Sequence, residues 1–379
     1  MADNQNLNFA AKAKNDEFYT QFDDIQRELN CYLDFDKNVF RDKTILLPCD
    51  DPVYSNFTKF FALNFDFYGL KKLISTSYAP NSKKFIFQPM ANLFDEDSPV
   101  FDASKENSHG KLYTLDRESI KTKPYPVDAV KLDRYLDGNG DFRSKEVSKL
   151  RDEADVIITN PPFSLFREFL DWIMEANKKF LIIGNINCLT YKEVFPLIKE
   201  NKIWLGKGFK GSVGFFQSPY EDYAVSSQHK EGLIRISGIH WFTNIEHGKR
   251  HRPVTFNTMA ENIKFCRHKD VKGKSILYAK YDNYDAIEVP YTDLIPCDYE
   301  GVMGVPITFL DKYCPEQFEI VGMTENLDLY GLKTKIYTTE ECRQRYFELF
   351  GKKGTYDLNA AGVINGRKVY QRILIRWRK

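Results

Sequence analysis

Two consecutive prolines interrupt the chain in "ITNPPFSLF", residues 158–166. Each fixes its φ near −65° and removes a backbone donor, so neither the interior of a sheet nor the body of a helix can run through them. The residues before them, "ADVIIT", read as a buried strand. Those after, with Leu165, Phe166, Phe169, Leu170 and Ile173 recurring at three- to four-residue spacing, read as one face of a helix. Strand, rigid corner and helix follow in that order, and in open α/β sheets ligands gather at such corners.

The rest of the first half keeps the same rhythm. Phe18, Phe22, Ile25, Leu29 and Tyr32 predict a helix over 16–33 behind an Asn15-Asp16 cap. "TILLP" at 44–48 is a strand, and a helix from Ser55 to Leu70 closes near Gly69 before the strand "KLISTSY". Residues 79–126 break the alternation and predict a hairpin excursion. It resumes with a helix near 144–153, the strand ending at Thr159, a helix over 164–177, the strand "KFLIIGN" and a helix around 191–200. This pattern predicts an α/β fold on a doubly wound parallel sheet. Past about residue 205 shorter aromatic and β-branched runs take over, so two regions are expected, 1–205 and a mixed 206–379.

With 379 residues, 42% of them hydrophobic and 15% aromatic, the chain can bury two cores and does not read as disordered. No apolar run approaches the roughly 18 residues of a membrane span and the start is polar, so a cytoplasmic protein with no membrane partner is expected. The seven cysteines are scattered without a C-x-x-C pair, which fits free thiols. His247, His251, His268 and Cys266 match no zinc spacing, so no metal is expected. The net charge of +1 hides a contrast. Residues 91–160 carry 11 basic against 15 acidic side chains, and residues 201–280 carry 14 against 6. The second stretch predicts a polyanion-facing surface, although a scatter of solvated lysines gives the same count.

The corner also has a chemical reading. The side-chain carbonyl of Asn160 and the backbone carbonyl beside it on Pro161 are acceptors held at fixed separation by Pro161 and Pro162. Together they can receive both hydrogens of one NH₂ group. The amine of adenine is a poor nucleophile because its lone pair is delocalised. Acceptors out of the ring plane favour a tetrahedral nitrogen and its growing positive charge. Phe163 offers a flat face for a base that must first be flipped from its duplex. A Pro-Pro turn with a capping asparagine and a core phenylalanine fits the same four residues, and at this level both readings stand.

These residues carry a resemblance. "NPPF" resembles the catalytic motif of amino-group methyltransferases that use S-adenosyl-L-methionine. With "KAKNDEFYTQFDDIQREL", "CDDPVYSNFTKFFALNF", "YGLKKLISTSY", "GDFRS", "WFTNIEHGKRH", "PEQFEIVGM" and "GRKVYQRILIR", nearly the whole chain resembles the EcoRI-type adenine-specific DNA methyltransferases. The resemblance implies a Rossmann-like methyltransferase domain in 1–205, a basic target-recognition region in 206–379, double-stranded DNA as substrate and N6-methyladenine as product. It also implies a role alone or beside a restriction endonuclease that acts on the same site without a stable complex, and a monomer. Asn160, Pro161, Pro162 and Phe163 would be catalytic.

By the same resemblance "EFYTQ" puts Tyr19 and Thr20 near the methionine part of the donor. "PCDDP" offers Asp50 or Asp51 to its ammonium group, and Asp141 of "GDFRS", 19 residues before Asn160, would accept from its adenine amine, with Asn160 also bordering the donor. Exposed turn carboxylates and a helix cap are the plainer readings of the three aspartates. "CDDPVYSN" lacks the glycines usual in such loops. In "HWFTNIEHGKRHR", residues 240–252, the mixture of rings and cations suits DNA: Lys249, Arg250 and Arg252 for phosphates, Trp241 and His247 for bases or the gap left by a flipped one. A solvated loop over a buried Trp241 is the alternative. Transfer to cytosine N4 or to a glutamine amide, or a DNA-binding module without chemistry, are the competing functions.

Overall fold

A computed structural model describes residues 19–52, 55–79, 99–217, 233–274, 276–354 and 357–378. The chain divides into two compact units, one of Met1–Val194 with Lys202–Lys249 and the other of Phe195–Asn201 with Arg250–Lys379.

The first unit is built on β1 (Tyr19–Thr20), α1 (Phe22–Leu33), β2 (Thr44–Leu47), α2 (Asn56–Leu63), α3 (Phe65–Tyr68), β3 (Lys72–Ser77), β4 (Lys111–Asp116), β5 (Lys131–Tyr135), α4 (Lys145–Glu153), β6 (Val156–Thr159), α5 (Phe166–Glu175) and β7 (Lys179–Asn185). After an excursion into the other unit it resumes with β8 (Trp204–Leu205), β9 (Val213–Gln217), β10 (Ile234–Ser237) and β11 (Ile239–Thr243). Eight strands form one sheet in the order β5-β4-β3-β2-β6-β7-β11-β8. Only β3, β2, β6 and β7 run parallel to their neighbours; β4, β5, β11 and β8 each pair antiparallel. The expected all-parallel sheet is therefore a mixed one. The cause lies in the direction of the later strands: β4 pairs antiparallel with β3, and β11, reached after the excursion into the other unit and β8 to β10, pairs antiparallel with β7.

The expected helix over 16–33 begins later, at Phe22. Tyr19 and Thr20 are extended and pair with Gln217 and Phe216, in a small sheet of order β1-β9-β10; residues 1–18, Phe18 among them, lie outside the described residues. The helix expected from Ser55 to Leu70 is interrupted at Asn64, whose side-chain amide donates to the Phe60 carbonyl at 2.8 Å. Gly69 ends it in the left-handed region at φ 62°. The parallel strands β2 and β6 are buried at every residue, as runs covered on both faces must be. Around them Phe57, Phe60, Phe61, Ile158, Ile183 and Trp241 share one core.

The division after Lys249 differs from the expected boundary near 205. Pairing explains the difference, because β11 pairs with Leu181–Asn185 of β7.

The second unit holds α6 (Phe195–Lys199), α7 (Met259–Phe265), β12 (Ala286–Glu288), β13 (Val302–Val305), β14 (Phe318–Met323), α8 (Thr339–Phe350), β15 (Val363–Ile364), β16 (Arg367–Lys368) and β17 (Ile373–Trp377). Its main sheet has the order β12-β13-β17-β14, with β15 and β16 as a separate hairpin. Its own core includes Tyr281, Tyr284, Ala286, Ile364 and Leu374. Among the described residues no helix is long and apolar enough to cross a membrane, and no cluster of His, Cys, Asp or Glu is arranged to hold a metal ion.

Candidate active site at the carboxyl ends of the parallel strands

Strands β2, β3 and β6 end side by side, and a web of buried hydroxyls joins their ends. The Asp50 carboxylate, just past β2 and 2% exposed, accepts from Ser55 Oγ at 2.7 Å and from Thr159 Oγ1 at 2.5 Å. Ser55 Oγ in turn accepts from Phe57 N at 3.1 Å and so caps α2. Asp50 N donates to the Thr76 carbonyl at 3.1 Å, while the Asp50 carbonyl accepts from Thr58 Oγ1 at 3.3 Å and from Ser75 Oγ. Thr76 Oγ1 donates to the Pro48 carbonyl at 2.9 Å. In many nucleotide-binding folds glycines let the backbone of this loop turn tightly. Here, side-chain hydroxyls from two neighbouring strands and a helix cap hold a glycine-free loop in place.

Thr159 is the last residue of β6 and Asn160 follows it; both are buried, at 0% and 7% exposure. Pro161 is buried and Pro162 half-buried. The Pro162 carbonyl accepts from Leu165 N at 2.9 Å, which starts a single 3₁₀ turn over Phe163–Leu165 before α5. Phe166 then seats that helix. Its ring packs so closely on Gly184 of β7 that a Cβ there would lie 2.4 Å from Cε2, and its other contact is the Phe242 ring, 4.9 Å away centre to centre. Phe163 is half-buried and packs against the core of the first unit, so its ring is partly structural and partly presented at the corner.

The other expected donor contacts are distributed around this edge. The Thr20 carbonyl accepts from Asn56 Nδ2 at 2.8 Å, which ties β1 to the start of α2. Thr20 Oγ1 is itself buried without a hydrogen-bond partner among the described residues, which makes it a polar atom awaiting one. Tyr19 is half-buried beside it. Asp51 is half-buried too, and its carbonyl accepts from Ser55 N at 2.7 Å. Burial lowers the pKa of nearby Lys59, opposed by the charge of Asp51.

Asp141 is brought to the end of β3 by Gly140, at φ 84°, where a Cβ would fall 2.2 Å from the Ser77 carbonyl. Its carboxylate receives Arg143 in two bonds, Nε at 2.9 Å and Nη2 at 2.6 Å, and Arg143 Nη1 continues to Glu168 of α5 at 2.7 Å. These carboxylates raise the pKa of Arg143. Sequence reading missed Arg143 and Thr159. Thr159 acts on Asp50, 109 residues away, and Arg143 joins its near neighbour Asp141 to Glu168, 25 residues on, partners that no local pattern announces.

The stretch expected to face DNA is largely internal. Trp241 is 1% exposed, stacked on Phe209 with ring centres 5.6 Å apart. His247 is 1% exposed; its Nε2 lies 3.0 Å from the Leu205 carbonyl, and its ring is edge-on to Tyr32. Lys249 Nζ donates to the carbonyls of Gly206 and Lys207, at 3.3 and 3.0 Å. In the second unit Arg250 is 4% exposed and donates to Asn201 Oδ1. Arg252 alone of the five is exposed. Trp241 is buried as in the plainer alternative, but most of the stretch around it is internal and not a solvated loop.

The adenine-specific methyltransferase EcoRI family model matches residues 6–378. The chain belongs to the EcoRI adenine-specific methyltransferase family. It is 42% identical over 338 residues to the Type II methyltransferase M.EcoRI of Escherichia coli, covering 86% of this chain and 91% of that one. It is 35% identical over 339 residues to the Type II methyltransferase M.MpnI of Mycoplasma pneumoniae, 87% and 90% of the two chains. With the Type II methyltransferase M.MgeORF184P of Mycoplasma genitalium the identity is 34% over 380 residues, 98% of each. No solved structure matches.

Proposed function

We propose that this chain is a Type II DNA methyltransferase that transfers a methyl group from S-adenosyl-L-methionine to N6 of an adenine flipped out of double-stranded DNA. The first unit is the catalytic one and the second carries target recognition. The protein works as a cytoplasmic monomer, the modification partner of a separate endonuclease. The observation that carries the reading is Asn160: in a family of adenine methyltransferases, it stands at a proline-locked corner whose preceding residue is fixed to the neighbouring strand through Asp50.

The donor set fits this cofactor. The half-buried Asp51 and the Thr20 hydroxyl, buried without a partner among the described residues, suit a ligand that carries an ammonium group and further polar atoms, and Asp141, which already holds Arg143 in two bonds, would share its carboxylate with an adenine amine. Bound there, the donor supplies an electrophilic methyl group on a sulfonium. The Asn160 side-chain carbonyl and the Pro161 carbonyl accept the two amine hydrogens of the base, draw its nitrogen toward tetrahedral geometry and stabilise the charge that grows as the N–C bond forms and the C–S bond breaks. Phe163 stacks on the extruded base, and the proton lost from nitrogen passes to solvent.

Incubation with methyl-labelled donor and separate samples of duplex DNA, RNA and protein, followed by nucleoside mass spectrometry, tests the proposal. Label in N6-methyladenine from duplex DNA is expected. Label confined to N4-methylcytosine, RNA or protein would overturn it.

A further inference from the structure

The positive charge of residues 201–280 needs an owner, because Arg250 is internal and Lys249 is engaged by carbonyls. The second unit supplies one in and after α7. Lys264, Arg267, Lys269, Lys272 and Lys274 fall within eleven residues and are all exposed. Among the described residues none forms a salt bridge. Beside them Ile263 is 56% exposed and Phe265 64%, with Lys264 Nζ 5.1 Å from the Phe265 ring centre.

The carboxylates of the same neighbourhood are occupied. Glu261 closes the capping box with Thr258, and Asp298 accepts from Met259 N at 2.8 Å. Asp293 pairs with His268 at 2.9 Å. Asp270 accepts from the Tyr291 hydroxyl, with its pKa lowered by that bond and by the charges of His268 and Lys274.

The platform is also ordered. Asn262, 2% exposed, donates to Tyr278 Oη at 2.8 Å and to the Leu294 carbonyl at 3.1 Å. Cys266 and Val271 point inward at 3% and 4% exposure, and Lys272 N and Lys274 N close the turn onto the carbonyls of His268 and Val271, both at 2.9 Å. The His268 ring stacks on Tyr291 with centres 3.7 Å apart. A fixed backbone that holds five exposed cations, none in a salt bridge among the described residues, and two exposed apolar side chains suits a regularly spaced polyanion.

We propose that residues 263–274 form a docking surface for the phosphate backbone of duplex DNA, with Ile263 and Phe265 against the sugar edge. The proposal rests on the reading of DNA as substrate. It is tested in the full-length protein by a triple variant, Lys269→Gln, Lys272→Gln and Lys274→Gln, with duplex DNA, single-stranded RNA and poly-glutamate as separate ligands across a salt series. The expected result is duplex affinity at least tenfold weaker, a log–log salt slope shallower by about one unit for each lost contact, and unchanged donor binding and thermal melting. Phe265→Ala is expected to weaken duplex binding with the slope unchanged. An unaltered duplex slope in the triple variant overturns the surface, as does a loss confined to RNA or to poly-glutamate. Because slopes can be read on any duplex, the result stands apart from methylation: a parent that binds DNA through this surface yet methylates no adenine would sink the function and spare the surface.

Discussion

Thr159→Val is the sharpest perturbation of the site, since it replaces a hydroxyl by a methyl of nearly the same size at a residue with 0% exposure. The hydroxyl donates to the Asp50 carboxylate at 2.5 Å, and Asp50 is itself 2% exposed, so solvent cannot replace the lost donor without opening the core. Hydrogen bonds to charged groups contribute about 1.5–3 kcal/mol, and the valine variant should lose that much stability. The same bond fixes the residue next to Asn160, so its removal frees the corner to rotate by fractions of an ångström. Misplacement on that scale costs roughly tenfold to a hundredfold in rate. Single-turnover methylation at saturating donor and DNA reads the rate, and chemical unfolding followed by tryptophan fluorescence reads the stability. Thr159→Ser is the control that keeps the donor and removes the methyl group; it should retain most of the rate. If the serine variant is the slower of the two, or if valine methylates as fast as the parent, the hydroxyl does not position Asn160 and the reasoning fails.

Asn160→Ala should lower single-turnover methylation by about two to three orders of magnitude with donor binding little changed, as loss of one preorganised partner of a developing charge does; an unchanged rate would remove Asn160 from the chemistry. Phe163→Tyr and Phe163→Trp should stay active while Phe163→Ala does not. Because the ring is half-buried against the core, the alanine change should also cost about 1–2 kcal/mol, less than the roughly 3–5 of a fully buried ring, and 2-aminopurine at the target position should emit more brightly in it than in the parent. A Cβ at Gly206 would lie 2.0 Å from Glu28 Oε1, so Gly206→Ala should destabilise by about 1–3 kcal/mol in chemical unfolding; parental stability would mean that Glu28 moves aside freely. Asp116 accepts from Ser119 N and Ser119 Oγ, bonds that lower its pKa. A depressed carboxyl pKa contributes stability above its unfolded value near 4, lost as pH falls through the lower folded value. Asp116→Asn should therefore cost, after screening at this exposed site, about 0.5 kcal/mol at pH 7, and the gap to the parent should close in acid; a gap independent of pH would contradict the assignment.

What was legible in the sequence is what local pattern controls. The β6 run of "VIIT", the Pro-Pro corner and the spacing of Phe166, Phe169, Leu170 and Ile173 each state their conformation within a few residues, and the structure has a strand, a turn and a helix there. Sheet direction was not legible, because the same apolar run serves a parallel or an antiparallel neighbour and only the length and course of the connection decides. The burial of the residues expected to face DNA was not legible for a related reason. A stretch such as 240–252 shows its composition but not its partners: 240–243 belong to β11, buried at every position between β7 and β8, and His247 and Lys249 reach carbonyls near 205–207 that no local pattern announces. The cations at 264–274 were counted in the same window and overlooked because exposure, not sign, separates a partner-facing lysine from one that holds its own fold.

The loop after β2 holds its shape without the glycines usual in nucleotide-binding folds. Glycines in such a loop let the backbone turn tightly and approach a ligand; the cost is a floppy loop that must be ordered on folding. Ser55, Thr58, Ser75, Thr76 and Thr159 achieve order from outside the loop, each with a hydroxyl on Asp50 or Pro48. Four of these hydroxyls end on a single residue, Asp50, so the loop after β2 and the corner at Asn160 share one anchor. A change at Asp50 should therefore lower donor binding and methyl transfer together. Changes at Thr159 and at Ser75 should divide these effects, the first acting mainly on transfer and the second mainly on the loop.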